Sequence, residues 1–117
     1  MTPKVSVIIP AYNEEDVIED CLRSLENQSF KDYQVILIDD ASTDSTKSII
    51  LRYCQKHPER FFLNEYGKVG PGKARNLSAY QCGSEFLVFM DADCIATPNW
   101  IEELLKAFLN DEVGSVG

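Results

Sequence analysis

Short apolar runs that alternate with segments of helical length constrain the fold of this chain more than any other feature. The runs cover residues 5–9, 35–38, 61–63 and 86–90, and residues 113–116 begin a fifth. Continuous apolar runs of this length favour strands that are buried on both faces, as in a parallel sheet covered by helices. Because strands joined through helices form right-handed crossovers, the pattern predicts an α/β fold with three layers, in which a mostly parallel sheet lies between two layers of helices.

The first strand and the first helix have specific expected boundaries. Pro10 should end the strand, because proline lacks the N–H group that a strand ladder needs. Asn13 should then cap the helix, and the acidic residues that follow suit the positive end of the helix dipole. The expected buried stripe of this helix is Val17, Cys21, Leu22 and Leu25. We expect the helix to end near Asn27.

Three further helices are expected along the chain. The second follows the capping side chains of residues 42–45 and closes before His57, the only histidine, which should be a surface residue. The third covers residues 73–81. For the last helix, Thr97 is the expected cap and Pro98 the first helical residue. Its expected buried stripe is Trp100, Ile101, Leu104, Leu105 and Phe108.

Size, cysteine content and charge bound the class of protein. A chain of 117 residues with 44% hydrophobic residues suits one domain, residues 1–117. The four cysteines form no C-x-x-C pair and adjoin apolar segments, so we expect reduced core thiols and a cytoplasmic location. The first apolar run is too short for a signal peptide or a membrane span. The net charge of −8 argues against binding of a nucleic acid polymer.

Two carboxylates follow the most apolar run. Asp91 and Asp93 come directly after residues 86–90, so they should lie at the carboxyl end of a strand, where open α/β sheets bind ligands. Their oxygens are hard ligands that suit Mg²⁺ or Mn²⁺. The alternative is an ordinary solvated turn, because a D-x-D sequence alone is common.

Two other strand ends are also polar, and a parallel sheet brings all three to one edge. Tyr12, after the first strand, could stack on a base, although exposed tyrosines beside turns are ordinary. Asp39, at the end of the second strand, could accept a hydrogen bond from a base N–H group. Asp40 and Asp44 could instead cap the following helix, and capping is the favoured role for Asp44.

A basic, glycine-containing segment supplies the features of a phosphate site. Residues 70–76 place Lys73 and Arg75 in the first turn of an expected helix, where free N–H groups and glycines allow close approach of an anion. The segment is neither a Walker loop nor a dinucleotide fingerprint. A flexible loop before a solvated helix face is the alternative. A divalent cation held by Asp91 and Asp93 would need an anionic partner, and a diphosphate supplies one.

Four motifs together resemble the family 2 glycosyltransferases, which have the GT-A fold. They are VSVIIPAYNEE at residues 5–15, IDDASTDST at 38–46, GKARN at 72–76 and MDAD at 90–93. They occur in the order of the family and extend over most of the chain. Ala41 stands where glycine is usual in the second motif, which leaves the acidic residues unchanged.

The resemblance implies a nucleotide-diphosphate-sugar donor, with a UDP-sugar favoured, and Mn²⁺ or Mg²⁺ as cofactor. It implies the following site residues: Pro10, Tyr12 and Glu14 around the nucleoside, Asp39 at the base, Lys73 and Arg75 near the diphosphate, and Asp91 with Asp93 at the ribose and metal. In inverting members of the family, a carboxylate base deprotonates the acceptor hydroxyl, and its motif lies further along the chain than Gly117.

We therefore expect residues 1–117 to be the donor-binding half of an inverting glycosyltransferase, inactive alone. The acceptor, whether glycan, lipid or protein, stays open, and the parent protein could be peripheral to the cytoplasmic face of the membrane. An unpaired sheet edge makes self-association of this half a reasonable expectation. The alternatives are a nucleotide-binding module without activity and, less favoured, a nucleotidyltransferase.

Overall fold

Four parallel strands form one sheet with the order β3-β2-β1-β4. The computed structural model describes residues 3–65, 73, 76 and 83–110, with backbone only for residues 109 and 110. The elements are β1 Val5–Ala11, α1 Ile18–Ser24, β2 Tyr33–Asp39, α2 Thr46–Lys56, β3 Phe61–Asn64, β4 Phe86–Phe89 and α3 Trp100–Asn110. The predicted parallel α/β fold is confirmed. The expected fifth strand at residues 113–116 lies outside the described residues.

The direction of the sheet reverses at β1. The chain moves outward from β1 to β2 to β3, and then returns to add β4 on the other side of β1. Right-handed connections between β1, β2 and β3 therefore put α1 and α2 on the same face of the sheet. Of the helix predicted between β3 and β4, the described residues Lys73 and Asn76 are helical and exposed. The strand order thus creates a switch point between β1 and β4.

The main core lies on the face of the sheet that the described helices cover. Val7 and Ile9 of β1 pack there with Val35 and Leu37 of β2, and all four side chains are fully buried. The helices add Ile18, Cys21, Leu22, Ile50, Tyr53 and Ile101 to the same cluster. The opposite face also carries buried apolar side chains, from Ile8, Ile36 and Ile38. Both faces of the two central strands are therefore apolar, which explains their continuous apolar sequence.

The expectation that β4 is buried on both faces is wrong. Phe86 and Val88 pack against the core, whereas Leu87 and Phe89 are 39% and 44% exposed. Among the described residues, β4 pairs with β1 and with no other strand, so β4 lies at the edge of this part of the sheet. A short apolar run does not distinguish a central strand from an edge strand.

Pro10 does not end the first strand. β1 continues through Pro10 to Ala11, which pairs with Asp39 of β2. Successive residues of a strand point their N–H groups to alternate sides. The Val5 N–H donates to the Asp32 carbonyl on the β2 side, so the odd-numbered residues of β1 point toward β2 and the even-numbered ones toward β4. Pro10 faces the β4 side, where pairing has already stopped at Ile8. Its missing donor therefore costs the sheet no hydrogen bond.

The first helix is shorter than predicted and begins differently. It starts at Ile18 and ends at Ser24, and Val17 precedes it without a side-chain cap. A tight turn, in which the Glu14 carbonyl accepts from the N–H groups of Val17 and Ile18, leads into the helix. Val17, predicted to be in the buried stripe, is 36% exposed, and Ile18 is buried instead. Asn13 therefore caps no helix.

Other expectations near the helices also need correction. α3 begins at Trp100, later than Thr97 and Pro98 suggested. His57 is half-buried rather than a free surface residue, because its Nε2 lies 2.7 Å from Glu26 Oε2. Lys56 Nζ lies 2.8 Å from the same oxygen. Burial alone would raise the pKa of Glu26, but hydrogen bonds from Lys56 and His57 hold it below its ordinary value.

The described cysteines are free but only partly in the core. Cys21 is buried and Cys54 is half-buried, in agreement with the expectation of core thiols. Cys94 is exposed, which contradicts that expectation, because it lies in the turn after β4 and not in an apolar element. The fourth cysteine, Cys82, lies outside the described residues.

Candidate functional site

Three strand ends meet at the switch point of the sheet. β4, β1 and β2 are adjacent and parallel, so their carboxyl ends share one edge, and the outer two lie about 10 Å apart. β4 ends level with Ile8, while β1 continues to Ala11. Three residues of β1 thus extend about 10 Å beyond β4. Ligands of open α/β sheets bind at this kind of crevice.

The β1–α1 loop brings Tyr12 to this edge. Tyr12 is 54% exposed, so its ring is available to stack on a planar ligand. Asn13 next to it has a φ of 50°, a left-handed conformation that asparagine tolerates better than most residues. Glu14 is half-buried, and its carbonyl begins the turn into α1. The sequence prediction of an exposed aromatic at the strand end is therefore correct in its placement.

The β1–α1 and β2–α2 loops are tied together by side chains. Asn13 Oδ1 accepts a hydrogen bond from the Thr43 N–H at 2.8 Å, and the Asn13 N–H donates to Ser42 Oγ at 3.0 Å. The Glu14 N–H donates to Thr46 Oγ1 at 2.8 Å. These bonds fix the loop with Tyr12 relative to the loop that follows Asp39. Asn13 thus has a positioning role that spans two loops.

Asp39 at the end of β2 and Asp44 in the following loop have different environments. Asp39 is 3% exposed, and its Oδ1 accepts a bond from the Ser42 N–H at 3.3 Å. Asp44 accepts bonds from the N–H groups of Thr46, at 2.9 Å, and Glu15, at 3.3 Å. Asp44 thus bonds to the first N–H group of α2, but the cap position predicted for it is occupied by Ser45, which makes no side-chain capping bond. Burial would raise the pKa of Asp44, but these hydrogen bonds lower it.

Asp40 was a candidate cap for α2, and the structure contradicts that role. Its Oδ1 is buried and has no hydrogen-bond partner in the described part of the chain. A buried carboxylate oxygen without a donor is costly, and such groups occur mainly where a ligand or ordered water completes them. The next residue, Ala41, has a φ of 60°, which explains why glycine is usual at this place. Sequence reasoning did not single out Asp40 as a site residue.

The turn after β4 presents two carboxylates to solvent. Asp91 and Asp93 are exposed, while Ala92 between them is 3% exposed and packs into the core. The Cys94 N–H closes the turn on the Asp91 carbonyl at 3.1 Å. One ligand atom from each of Asp91, Asp93 and Cys94 lies within 4.8 Å of the others. The donor set of two carboxylates therefore fits a hard divalent cation such as Mn²⁺ or Mg²⁺.

Gln28 anchors the segment that follows this turn. Its side chain is fully buried, and Nε2 donates to the carbonyl of Thr97 at 2.7 Å and of Ser24 at 3.1 Å. Its Oε1 accepts from the Ile101 N–H at 3.1 Å. One buried amide thus joins the end of α1, the segment after the carboxylates and the start of α3. Sequence polarity alone gave no signal for this residue.

A cleft opens beside the carboxyl end of β4. It is lined by Phe89, Met90, Asp91, Cys94, Ile95, Ala96 and Trp100. Ile95 is 69% exposed, so one wall of the cleft is apolar and accessible. The cleft is therefore continuous with the carboxylate turn and mixes apolar side chains with one carboxylate and one thiol.

The predicted phosphate segment lies mostly outside the described residues. Lys73 is helical and exposed, as expected for a residue in the first turn of a helix. Arg75 and residues 66–72 are not described. The structure therefore puts the predicted site residues that lie in or directly after β1, β2 and β4 at one edge of the sheet. They are Pro10, Tyr12, Glu14, Asp39, Asp91 and Asp93. The expected contribution of Lys73 and Arg75 stays a prediction.

The model for "Glycosyl transferase family 2" matches residues 6–117. The chain belongs to glycosyl transferase family 2. A curated member, the GalNAc(5)-diNAcBac-PP-undecaprenol beta-1,3-glucosyltransferase of Campylobacter jejuni, is 41% identical over 93 residues, which are 78% of this chain and 30% of that protein. The poly(ribitol-phosphate) beta-N-acetylglucosaminyltransferase TarS of Staphylococcus aureus is 40% identical over 92 residues, 77% of this chain and 16% of TarS. This family 2 chain thus spans a third or less of both relatives.

Solved structures of family relatives share the fold. A crystal structure of S. aureus TarS residues 1–349 superimposes with a TM-score of 0.77 at 34% identity, over 92% of this chain and 32% of that one. The mannosyltransferase PcManGT from Pyrobaculum calidifontis, in complex with GDP-Man and Mn²⁺, gives a TM-score of 0.69 at 32% identity, over 82% of this chain and 29% of that one. The predicted GT-A architecture is therefore confirmed for this family 2 chain. Within the described ranges, no helix has the length and apolar character needed to cross a membrane.

Proposed function

We propose that this family 2 chain is the donor-binding half of a glycosyltransferase that transfers a sugar from a nucleotide-diphosphate sugar to an acceptor hydroxyl. The observation that carries the proposal is the convergence of Tyr12, Asp39 and the Asp91–Asp93 turn at the switch point of the sheet. TarS has been crystallised with UDP and with UDP-GlcNAc. These complexes, and that of PcManGT with GDP-Man and Mn²⁺, support a nucleotide sugar as the donor class.

The nucleoside would lie over the ends of β1 and β2. Tyr12 supplies an exposed ring for stacking, and base stacking on an aromatic ring contributes roughly 1–3 kcal/mol. Pro10 and Glu14 would shape the same pocket. Asp39 would accept a hydrogen bond from a base N–H. The bonds between the two loops hold these groups in place before the ligand arrives, which lowers the entropic cost of binding.

The diphosphate would lie toward the end of β4, and charge decides how it can be held. The chain carries a net charge of −8, and Asp39, Asp40, Asp91 and Asp93 all lie at this edge. Such an edge repels a free diphosphate. Asp91 and Asp93 would hold Mn²⁺ or Mg²⁺, with Asp91 also near the ribose, and the bound metal would offset negative charge on the departing diphosphate. Lys73 and Arg75 would add positive charge near the same phosphates.

We further propose an inverting reaction whose general base lies outside residues 1–117. The chain covers only 30% and 16% of the two relatives described above, so the greater part of each is available for acceptor binding and proton removal. This supports a general base outside residues 1–117. The chain alone should then bind nucleotide without transferring sugar at an enzymatic rate. Transfer at such a rate by residues 1–117 would refute this placement of the base. The acceptor class, a cytoplasmic location and self-association stay predictions.

Titration with UDP, GDP and dTDP, with and without Mn²⁺, tests the proposal. We expect UDP to bind tightest, and Mn²⁺ to strengthen its binding by about tenfold or more, because the acidic edge needs a cation to receive the diphosphate. UMP is the matched control ligand, since it keeps the base and lacks the second phosphate, and Mn²⁺ should affect it much less. Absent binding, or binding of every nucleotide without dependence on metal, would contradict the donor site.

A further inference from the structure

Cys94 differs from the other described cysteines in its exposure. Cys21 is buried, and its pKa is raised to about 12, first by burial and then by the nearby Cys94 and Asp93. Burial also raises the pKa of Cys54. Both thiols therefore stay protonated at neutral pH, and Cys21 donates a weak hydrogen bond to the Asp91 carbonyl at 3.8 Å. Cys94 is the described thiol that faces solvent, and it does so at the carboxylate turn.

The sulfur of Cys94 is close enough to share a metal with the two carboxylates. Cys94 Sγ lies 3.8 Å from Asp93 Oδ1, and the ligand atoms of all three residues lie within 4.8 Å of one another. Two ligand atoms on opposite sides of one ion are separated by the sum of their bonds, about 4.4 Å for one oxygen and one sulfur. Small rotations of exposed side chains would bring the three atoms into this range.

We propose that Cys94 is a third protein ligand at the metal site of Asp91 and Asp93. The inference rests on the proposed function, which gives those carboxylates a metal. On coordination, the thiol releases its proton to solvent, a sulfur lone pair forms the bond to the metal, and one bound water leaves. The turn that the Cys94 N–H closes on the Asp91 carbonyl keeps the sulfur on the side of the carboxylates.

A mixed set of two oxygens and one sulfur changes which ions the site prefers. Carboxylates alone suit Mg²⁺ and Mn²⁺, whereas thiolates favour softer ions such as Zn²⁺ and Cd²⁺. We therefore expect Cys94 to raise the affinity for Zn²⁺, Co²⁺ and Cd²⁺ and to contribute little for Mg²⁺. Cys94 also lines the cleft beside β4, so the sulfur is within reach of an ion that enters there.

Titration with Cd²⁺ and Co²⁺, followed by the ultraviolet thiolate-to-metal charge-transfer band, tests the assignment. The band should appear in the wild-type chain and in Cys54→Ser, the matched control, and should be lost in Cys94→Ser. Removal of the sulfur should weaken Cd²⁺ binding by about tenfold or more. The exposed position of Cys94 means that the serine variant should remain folded, which its thermal midpoint would show.

The outcomes separate this inference from the proposed function. A charge-transfer band that persists in Cys94→Ser would overturn the role of Cys94. So would a wild-type chain that lacks the band but binds UDP in a Mn²⁺-dependent way, and in that case the donor site would stand. If metal binding is equally strong in Asp93→Ala and in the wild-type chain, the metal site itself is wrong, and both proposals fail.

Discussion

Replacing Asp93 with alanine should abolish the Mn²⁺-dependent part of UDP binding and leave the stability of the domain unchanged. The Asp93 side chain is exposed in the turn after β4, and its described contact is the weak one with the Cys94 thiol. Loss of a surface side chain of this kind usually changes the free energy of unfolding by less than about 0.5 kcal/mol. Loss of a metal ligand should reduce the affinity for the metal by at least about tenfold. Calorimetric titration of UDP with and without Mn²⁺ measures the effect.

Asp32→Ala is the matched control for this prediction. Asp32 is also exposed, but it precedes β2 and so lies at the opposite, amino edge of the sheet. The two variants change the net charge equally, and therefore a general charge effect would appear in both. If Asp32→Ala lost as much metal dependence as Asp93→Ala, or if Asp93→Ala kept the dependence of the wild-type chain, the assignment of Asp93 would be contradicted.

Gln28→Ala should be among the most destabilising single substitutions in the described part of the chain. It would remove a fully buried side chain and leave the Ile101 N–H, which is buried, and the carbonyls of Ser24 and Thr97, which are partly buried, without their partner. Unsatisfied buried polar groups cost about 1–3 kcal/mol each, and relaxation or water can recover part of that. We expect a loss of about 3 kcal/mol, which should lower the thermal midpoint by roughly 10 °C or more. Thermal unfolding followed by circular dichroism measures this loss.

The control for Gln28 is Gln55→Ala, which removes the same side chain from the exposed face of α2. Its effect on stability should stay within about 0.5 kcal/mol. Similar thermal midpoints for Gln28→Ala and the wild-type chain would show that the buried amide does not hold together α1, the segment after the carboxylate turn and α3.

The architecture could be predicted because its signals are local. Continuous apolar runs indicate strands buried on both faces, and this is correct for β1 and β2, whose two faces are both apolar and buried. Parallel strands joined by helices put all carboxyl ends at one edge, so the placement of Tyr12, Asp39 and Asp91 followed from the alternation of elements alone. The roles of these residues in nucleotide binding, in contrast, stay predictions.

The features that the sequence could not provide depend on contacts between distant residues. Asn13 looked like a helix cap, but its side chain bonds to Thr43 across two loops. Gln28 is polar and was therefore expected in no core, yet it satisfies three backbone groups that only the folded chain brings together. The exposure of Phe89 depends on which strand stands at the sheet edge, a property that an apolar run does not encode. Local patterns thus determine elements, and tertiary contacts determine the surroundings of the site.

The measurement that tests the central claim most directly is an amide-resolved NMR titration of the chain with UDP and Mg²⁺, a diamagnetic ion. The switch-point site predicts that the amide signals of Tyr12, Asp39 and Asp93 shift as the complex forms. The amides of Tyr33 and Phe86, which begin β2 and β4 at the amino edge, should keep their positions. Shifts confined to the amino edge, or to the groove that Val88, Leu105 and Phe108 line between β4 and α3, would contradict a nucleotide site at the carboxyl ends of β1, β2 and β4.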